Sequence, residues 1–139
     1  MRLAAALALL IAGCATTPEA PAERVAGCWI QRDSWGAVTM RWLPDAGRPG
    51  ALRGELLTYR SGEPTRASYS LESSEIGASL CQLGDDGAAT RCWQVAEGEG
   101  GSLEDGRAFI DRYGGRLRIT IIGDGPDRVI FSGARDGCD

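Results

Sequence analysis

From Val25 onward, apolar and polar residues alternate over short runs, and breaks containing glycine, proline or aspartate recur about every 8 to 12 residues. The clearest run is 116–122, in which Leu117, Ile119 and Ile121 alternate with polar side chains. Such alternation is typical of a strand with one buried face. No segment sustains helical periodicity over three turns. The pattern therefore predicts strands at 26–33, 36–43, 51–59, 65–72, 75–83, 89–96, 107–113, 116–122 and 127–133.

The predicted strands follow one another directly and are joined by glycine-rich turns. Gly114-Gly115 and the stretch 123–126 supply the positive-φ residues that tight hairpins require. Short antiparallel strands with one buried face either stack as a sandwich or close on themselves, and consecutive hairpins favour closure. We therefore expect an all-β fold, a single antiparallel up-and-down β-barrel of about eight to nine strands.

The first 13 residues have the layout of a secretory signal, with a charge at Arg2, an apolar run over 3–12 and small residues before Cys14. Such a run makes a helix of only about 15 to 17 Å, too short to span a bilayer core of about 30 Å. Residues 15–24 carry two prolines and no apolar periodicity, which predicts an extended tether. We predict a signal peptide at 1–13, a lipidated cysteine and tether at 14–24, and one barrel domain at 25–139.

The tetrapeptide Ile11-Ala12-Gly13-Cys14 resembles the lipobox of bacterial lipoproteins. The resemblance implies that the Cys14 sulfur carries diacylglycerol, that cleavage exposes its amine for a further acyl chain, and that acyl chains such as palmitate anchor the protein to a membrane. In a diderm host, Ala15 after the cysteine implies sorting to the outer membrane, with the domain on the periplasmic face of the envelope. The alternative is an ordinary signal followed by a chance cysteine.

Four cysteines remain after Cys14, an even number that favours disulfides in a small exported domain and allows three pairings. We favour Cys81–Cys92, because both lie near the facing ends of consecutive strands, and Cys28–Cys138, which joins the first strand to the chain end. Zinc is the competing interpretation. It is disfavoured because the chain has no histidine and no Cys-x-x-Cys motif, so we predict no metal.

A second resemblance begins at Gly27-Cys28-Trp29, which looks like the Gly-x-Trp signature of lipocalin-like barrels. This motif and the stretches 40–44 and 52–55 are also similar to the start of a group of small uncharacterised bacterial barrel domains. The resemblance implies that Trp29 plugs a closed barrel end, with Arg128 or Arg135 lying across it. The alternative is a tryptophan simply buried in a strand.

Composition argues against several kinds of function. The net charge of −4 disfavours a nucleic-acid partner. The absence of histidine removes the usual base of nucleophilic catalysis, and we predict no catalytic residues and no cofactor. The remaining carboxylate pairs fall at predicted turns and are interpreted as solvated loop acids: Asp85/Asp86, Glu97/Glu99, Glu104/Asp105 and Asp124/Asp127.

The leading hypothesis is a membrane-anchored, non-catalytic binding module for a small apolar ligand or a peptide. The alternatives are a barrel that inhibits an envelope hydrolase (a protease or a lysozyme), or a structural lipoprotein of an envelope assembly. A hollow barrel favours the first, and a solid core with an exposed aromatic loop favours the others, since a small barrel is readily filled by its own side chains. The residues predicted to line a ligand cavity are Trp42, Tyr69, Trp93, Ile119 and Phe131.

Overall fold

The computed structural model describes residues 19–96, 106–123 and 125–138. These residues form one short helix and nine strands, and the strands form a closed barrel. In chain order the elements are α1 (Pro21–Val25), β1 (Gly27–Asp33), β2 (Gly36–Pro44), β3 (Leu52–Arg60), β4 (Thr65–Ser74), β5 (Gly77–Leu83), β6 (Ala89–Val95), β7 (Arg107–Tyr113), β8 (Arg116–Ile122) and β9 (Arg128–Asp136). The predicted all-β barrel is confirmed.

The strands lie close to their predicted positions because alternation determines which face of each strand is buried. On β8, Leu117, Ile119 and Ile121 are at most 1% exposed, whereas Arg116 and Arg118 are exposed. The largest difference is in the ninth strand, which was predicted to end at residue 133 and continues to Asp136. Its last three residues are polar or small and lack an apolar signal, but they pair with β1 and close the barrel.

One strand pair departs from the predicted antiparallel meander. In a closed ring of nine strands, strict up-and-down alternation would make β1 and β9 parallel, because the number is odd. Those two strands are antiparallel, so a parallel pair must lie elsewhere, and it is β6 with β7. This pair has only two registered positions, Gln94 with Arg107 and Val95 with Ala108. Every other neighbouring pair of the ring is antiparallel.

The end of the barrel at which β1 begins is covered by α1, and we call it the α1 end. Val25 is fully buried in the barrel core, and Ala22 packs against the same cluster. The indole Nε1 of Trp29 donates to the carbonyl oxygen of Val25 at 2.6 Å, and Arg24 Nη1 donates to the carbonyl oxygen of Ile110 at 3.0 Å. These contacts fix the helix to strands on both sides of the barrel.

The helix corrects the predicted extended tether, whose last four residues belong to the folded domain. Proline at the first position of a helix costs no hydrogen bond and its fixed φ is suited to the helix, so Pro21 starts α1 instead of extending the chain. Glu19, just before the helix, forms an ion pair with Arg112, in which Oε1 and Nη1 are 2.8 Å apart. The predicted signal peptide, Cys14 and the first part of the tether lie outside the described residues.

The opposite end of the barrel, which we call the distal end, carries the β1–β2, β3–β4, β5–β6 and β8–β9 connections. The β4–β5 turn, with Ile76, lies at the α1 end. With a rise of about 3.3 Å per residue and a strand tilt of about 40°, a seven-residue strand separates the two ends by roughly 18 Å. Among the described residues, no helix is long and apolar enough to cross a membrane.

Candidate functional site

The barrel interior is filled by side chains. The five residues predicted to line a ligand cavity all point into the core and are between 0% and 6% exposed: Trp42, Tyr69, Trp93, Ile119 and Phe131. Packing is close enough to require a glycine, because a Cβ at Gly54 would lie 2.7 Å from ring carbons of Trp42. The structure brings these residues together as a core.

The depressions of the molecule lie on its outer wall and margins. Five of them have volumes of about 170 to 760 Å³, and none is lined by the five predicted residues. The largest, about 760 Å³, lies on the outer wall of β7, β8 and β9. Its apolar side chains are Phe109, Ile122 and Val129, and arginine and aspartate side chains lie among them. This is a shallow surface that faces outward from the barrel.

Trp29 lies at the α1 end beneath two guanidinium groups. It is 1% exposed, and the guanidinium carbons of Arg135 and Arg112 lie 4.9 and 6.0 Å from its ring centre. Arg135 Nη1 also donates to the carbonyl oxygen of Ala26 at 3.1 Å. Sequence reasoning missed Arg112, although alternation from Ala108 and Ile110 along β7 would have placed it on the inward face.

Arg128, the other arginine proposed for Trp29, is placed at the opposite end of the barrel. It stands across from Ile121 at the start of β9, and its guanidinium carbon lies 5.3 Å from the ring centre of Trp93. Arg91 lies on the same ring at 5.6 Å. Strand direction explains the correction: β9 runs from the distal end to the α1 end, so only a residue near its C-terminus reaches Trp29.

Tyr69 is buried near this distal cluster, and its pKa responds to that environment. Burial disfavours the phenolate and raises the pKa of Tyr69 above its ordinary value of 10.0, while the positive charge of Arg128 opposes the shift. The phenol is therefore neutral in the neutral pH range.

Trp35 is a functional candidate that sequence reasoning missed. It lies in the β1–β2 turn at the distal end and is 79% exposed, an unusual state for the largest apolar side chain. Asp33 holds the turn, because its Oδ1 accepts from the backbone N–H of Trp35 at 2.8 Å and its Oδ2 pairs with Arg60 at 3.0 Å. The position of Trp35 in the sequence could have revealed it, because a tryptophan in the turn between two hairpin strands has no place on the buried face of either strand.

Tyr59 and Ile76 are two of the other large apolar side chains that are exposed near the ends of the barrel. Tyr59 is 43% exposed and stands opposite Ala37, two residues from Trp35. Ile76 is 87% exposed but lies in the β4–β5 turn at the α1 end. The distal corner formed by β1, β2 and β3 therefore presents two aromatic side chains on a fixed backbone.

The structure contains both disulfides that the sequence favoured. Cys28 bonds to Cys138 with an S–S length of 2.03 Å, and Cys81 bonds to Cys92, its direct cross-strand neighbour. Leu80 and Trp93 point inward beside the second pair, which leaves these cysteines on the outer wall. The first bond ties the end of the chain to β1, next to the barrel closure.

The predicted acidic clusters are only partly within the described residues. Asp86 accepts from the backbone N–H of Ala88 at 3.0 Å, a contact that shapes the β5–β6 turn. The pairs at 97/99 and 104/105, and Asp124, lie outside the described residues. Within the described ranges, no group of three or more histidine, cysteine, aspartate or glutamate residues is placed to hold a metal ion.

Comparison of the chain with known protein families, with curated proteins and with solved structures found no match.

Proposed function

We propose that this protein is a lipid-anchored, non-catalytic binding module of the bacterial envelope, and that it binds another envelope protein through the distal corner carrying Trp35. The observation that carries the proposal is an indole 79% exposed, on a turn clamped by Asp33, above a solid core. A filled interior favours recognition from outside over a small apolar ligand held within the barrel. An inhibited hydrolase and an assembly component are both partners of this kind.

The geometry of Trp35 is that of a binding anchor. Tryptophan is among the residues most enriched at energetic hot spots, because it buries a large rigid surface at a small cost in side-chain entropy. The Asp33–Arg60 ion pair and the Trp35 N–H···Oδ1 bond hold the turn before any partner arrives. A preformed turn lowers the ordering cost of association.

The position of the anchor also fits a lipoprotein attached through Cys14. The chain enters the domain at the α1 end, so a lipid there leaves Trp35 on the far side of the barrel. The barrel length places the indole roughly 18 Å beyond α1. Its partner would then be met on the side facing away from the membrane.

The test compares two exposed apolar turn residues at opposite ends. A photocrosslinking amino acid replaces Trp35 in one strain and Ile76 in another, in the full acylated protein, and adducts are identified by mass spectrometry. Ile76 is the matched control because it is 87% exposed at the α1 end. We expect a discrete protein adduct from position 35 that is absent from position 76.

The purified partner then gives the affinity. Trp35→Ala should weaken binding by about 30-fold or more, the loss expected for a hot-spot tryptophan, while Ile76→Ala leaves it unchanged. Thermal melts of both variants should match the wild type, because neither side chain is buried. Equal adducts from both positions, or unchanged affinity of Trp35→Ala, would reject the distal corner as the binding site.

A further inference from the structure

The ladder that closes the barrel between β1 and β9 stops before the distal end. β1 pairs with β2 along its whole length, but with β9 only through Cys28, Trp29 and Ile30. β9 pairs with β8 from Arg128 onward. In the described chain, the β9-facing edge of Gln31–Asp33 therefore has no strand partner, and neither does the facing edge of β9 before Ala134. We call this region the distal seam.

Two features of β9 explain where the ladder stops. Gly133 lies directly against β1, because a Cβ there would be 2.5 Å from the carbonyl oxygen of Ile30. Just beyond it, the β8–β9 register shifts: Ile119 pairs with Phe131, but Thr120 pairs with Val129, which leaves one extra residue in β9. Such a bulge bends its strand and increases its twist. The bulge at Ile130 lies on the side of Gly133 at which β9 no longer pairs with β1.

An exposed apolar residue lies at the distal end of each strand of this seam. Trp35 follows the unpaired edge of β1 in the β1–β2 turn, and Val129 lies at the start of β9, on the distal side of the bulge. These residues are 79% and 47% exposed. The main-chain groups of Gln31–Asp33 that have no ladder partner are thus followed directly by a turn with an exposed indole.

We propose that the distal seam binds an extended peptide segment, which pairs its main chain with the free edge of β1 and places a large apolar side chain against the exposed Trp35. This deepens the proposed function, on which it rests, by naming the chemical class of the partner's contact. A strand edge recognises any extended main chain, and flanking apolar groups select the side chain, as in other β-augmentation sites.

The free protein provides the first test, by amide hydrogen exchange followed by NMR. Alternate residues of Gln31–Asp33 direct their N–H toward β9, and these amides should exchange at least about tenfold faster than those of Met40 and Trp42 in the closed wall. If all three amides of Gln31–Asp33 are as protected as those of β2, the edge is already occupied and the inference fails.

Binding is tested with a defined probe, a short peptide of alternating threonine and valine with one central tryptophan. Its N-methylated counterpart keeps the side chains but cannot pair its main chain. We expect the first to bind and slow exchange at Gln31–Asp33, and the second to bind at least about tenfold more weakly. Equal binding of the two peptides, or no binding of the first, would overturn the inference.

An engineered lock gives independent control of the seam. The double variant Arg32→Cys/Ser132→Cys links the outward positions that an extension of the β1–β9 register sets opposite, and Arg32→Ser is its unlocked counterpart. Thr39→Cys/Leu57→Cys links an outward pair in the closed wall as the matched control. The seam lock alone should abolish peptide binding, and binding that survives a verified lock contradicts the inference.

The two proposals fail in distinguishable ways. If Trp35→Ala loses the envelope partner but the seam lock and N-methylation have no effect, the distal corner stands as a binding site and the seam does not. If the lock and N-methylation abolish binding while Trp35→Ala retains it, the seam stands and the tryptophan anchor does not.

Discussion

The two tryptophans buried near the α1 end offer an internal comparison of one hydrogen bond. Trp29 and Trp42 are each 1% exposed. The indole Nε1 of Trp29 donates to the carbonyl oxygen of Val25, whereas Nε1 of Trp42 is buried with no hydrogen-bond partner. Replacing each by phenylalanine removes a similar part of the ring. The difference between the variants therefore reports mainly on the two N–H groups.

The expected magnitudes follow from burial. Replacing the indole by the smaller phenyl ring lowers the free energy of unfolding by about 1 to 2 kcal/mol at either position. Trp29→Phe additionally leaves the Val25 carbonyl without its donor, a cost of about 1 to 3 kcal/mol, and weakens the contact with Arg135. Trp42→Phe removes an unpaired N–H whose burial itself costs about 1 to 3 kcal/mol, which offsets the loss of packing. We expect Trp29→Phe to be the less stable variant by about 3 kcal/mol.

Urea denaturation followed by far-UV circular dichroism measures the difference without relying on tryptophan fluorescence. Equal slopes of the unfolding free energy against urea in the two variants would show that the denatured states are comparable. The same difference should separate the thermal midpoints by about 10 to 15 °C. If Trp42→Phe is as destabilising as Trp29→Phe, the Trp42 N–H has a partner such as a buried water, and the reasoning from its isolation is refuted.

Three further outcomes are expected. Palmitate labelling should disappear in Cys14→Ser, and persistent labelling with membrane sedimentation would exclude Cys14 as the acylated residue. Cys28→Ala/Cys138→Ala should lower the unfolding free energy by about 5 kcal/mol in the chain-entropy model, and loss of the β5–β6 disulfide by about 3 kcal/mol. The first disulfide has the larger effect because it closes a loop of 110 residues, whereas the second closes a loop of 11. Equal losses in urea melts would contradict this. Burial raises the pKa of Tyr69, so its contribution to stability is complete below pH 10.0 and is lost as the pH rises through the folded-state pKa. Tyr69→Phe should lack this decrease in alkaline urea melts, and an identical decrease in both proteins would assign the effect to other groups.

The local pattern of the sequence was sufficient for the strands and for their faces. Alternation at Leu117, Ile119 and Ile121 reports directly which side chains point inward, since successive residues of a strand face opposite sides. The same rule placed Cys81 and Cys92 opposite each other on the outer wall, and their bond follows from that register. Strand identity and the hairpin disulfide are properties of short segments, so a single sequence carries them.

The arrangement of the strands around the ring was decided only by the tertiary structure. Whether β6 and β7 are parallel depends on how an odd number of strands closes, which no local alternation specifies. Pro21 was interpreted as part of an extended tether, but the barrel core supplies the apolar surface that makes a five-residue helix stable there. Strand direction likewise placed Arg135 rather than Arg128 over Trp29.

The candidate site shows the same division. Sequence reasoning selected the large inward residues as possible ligand contacts, but filling a barrel and lining a cavity require the same apolar residues, and only packing distinguishes them. The solid core, the exposed Trp35 and the distal seam arise from contacts between segments far apart in the chain. The sequence by itself determined the strands, their buried faces and the hairpin disulfide, whereas the Cys28–Cys138 bond and the surface left for binding depended on how those strands closed.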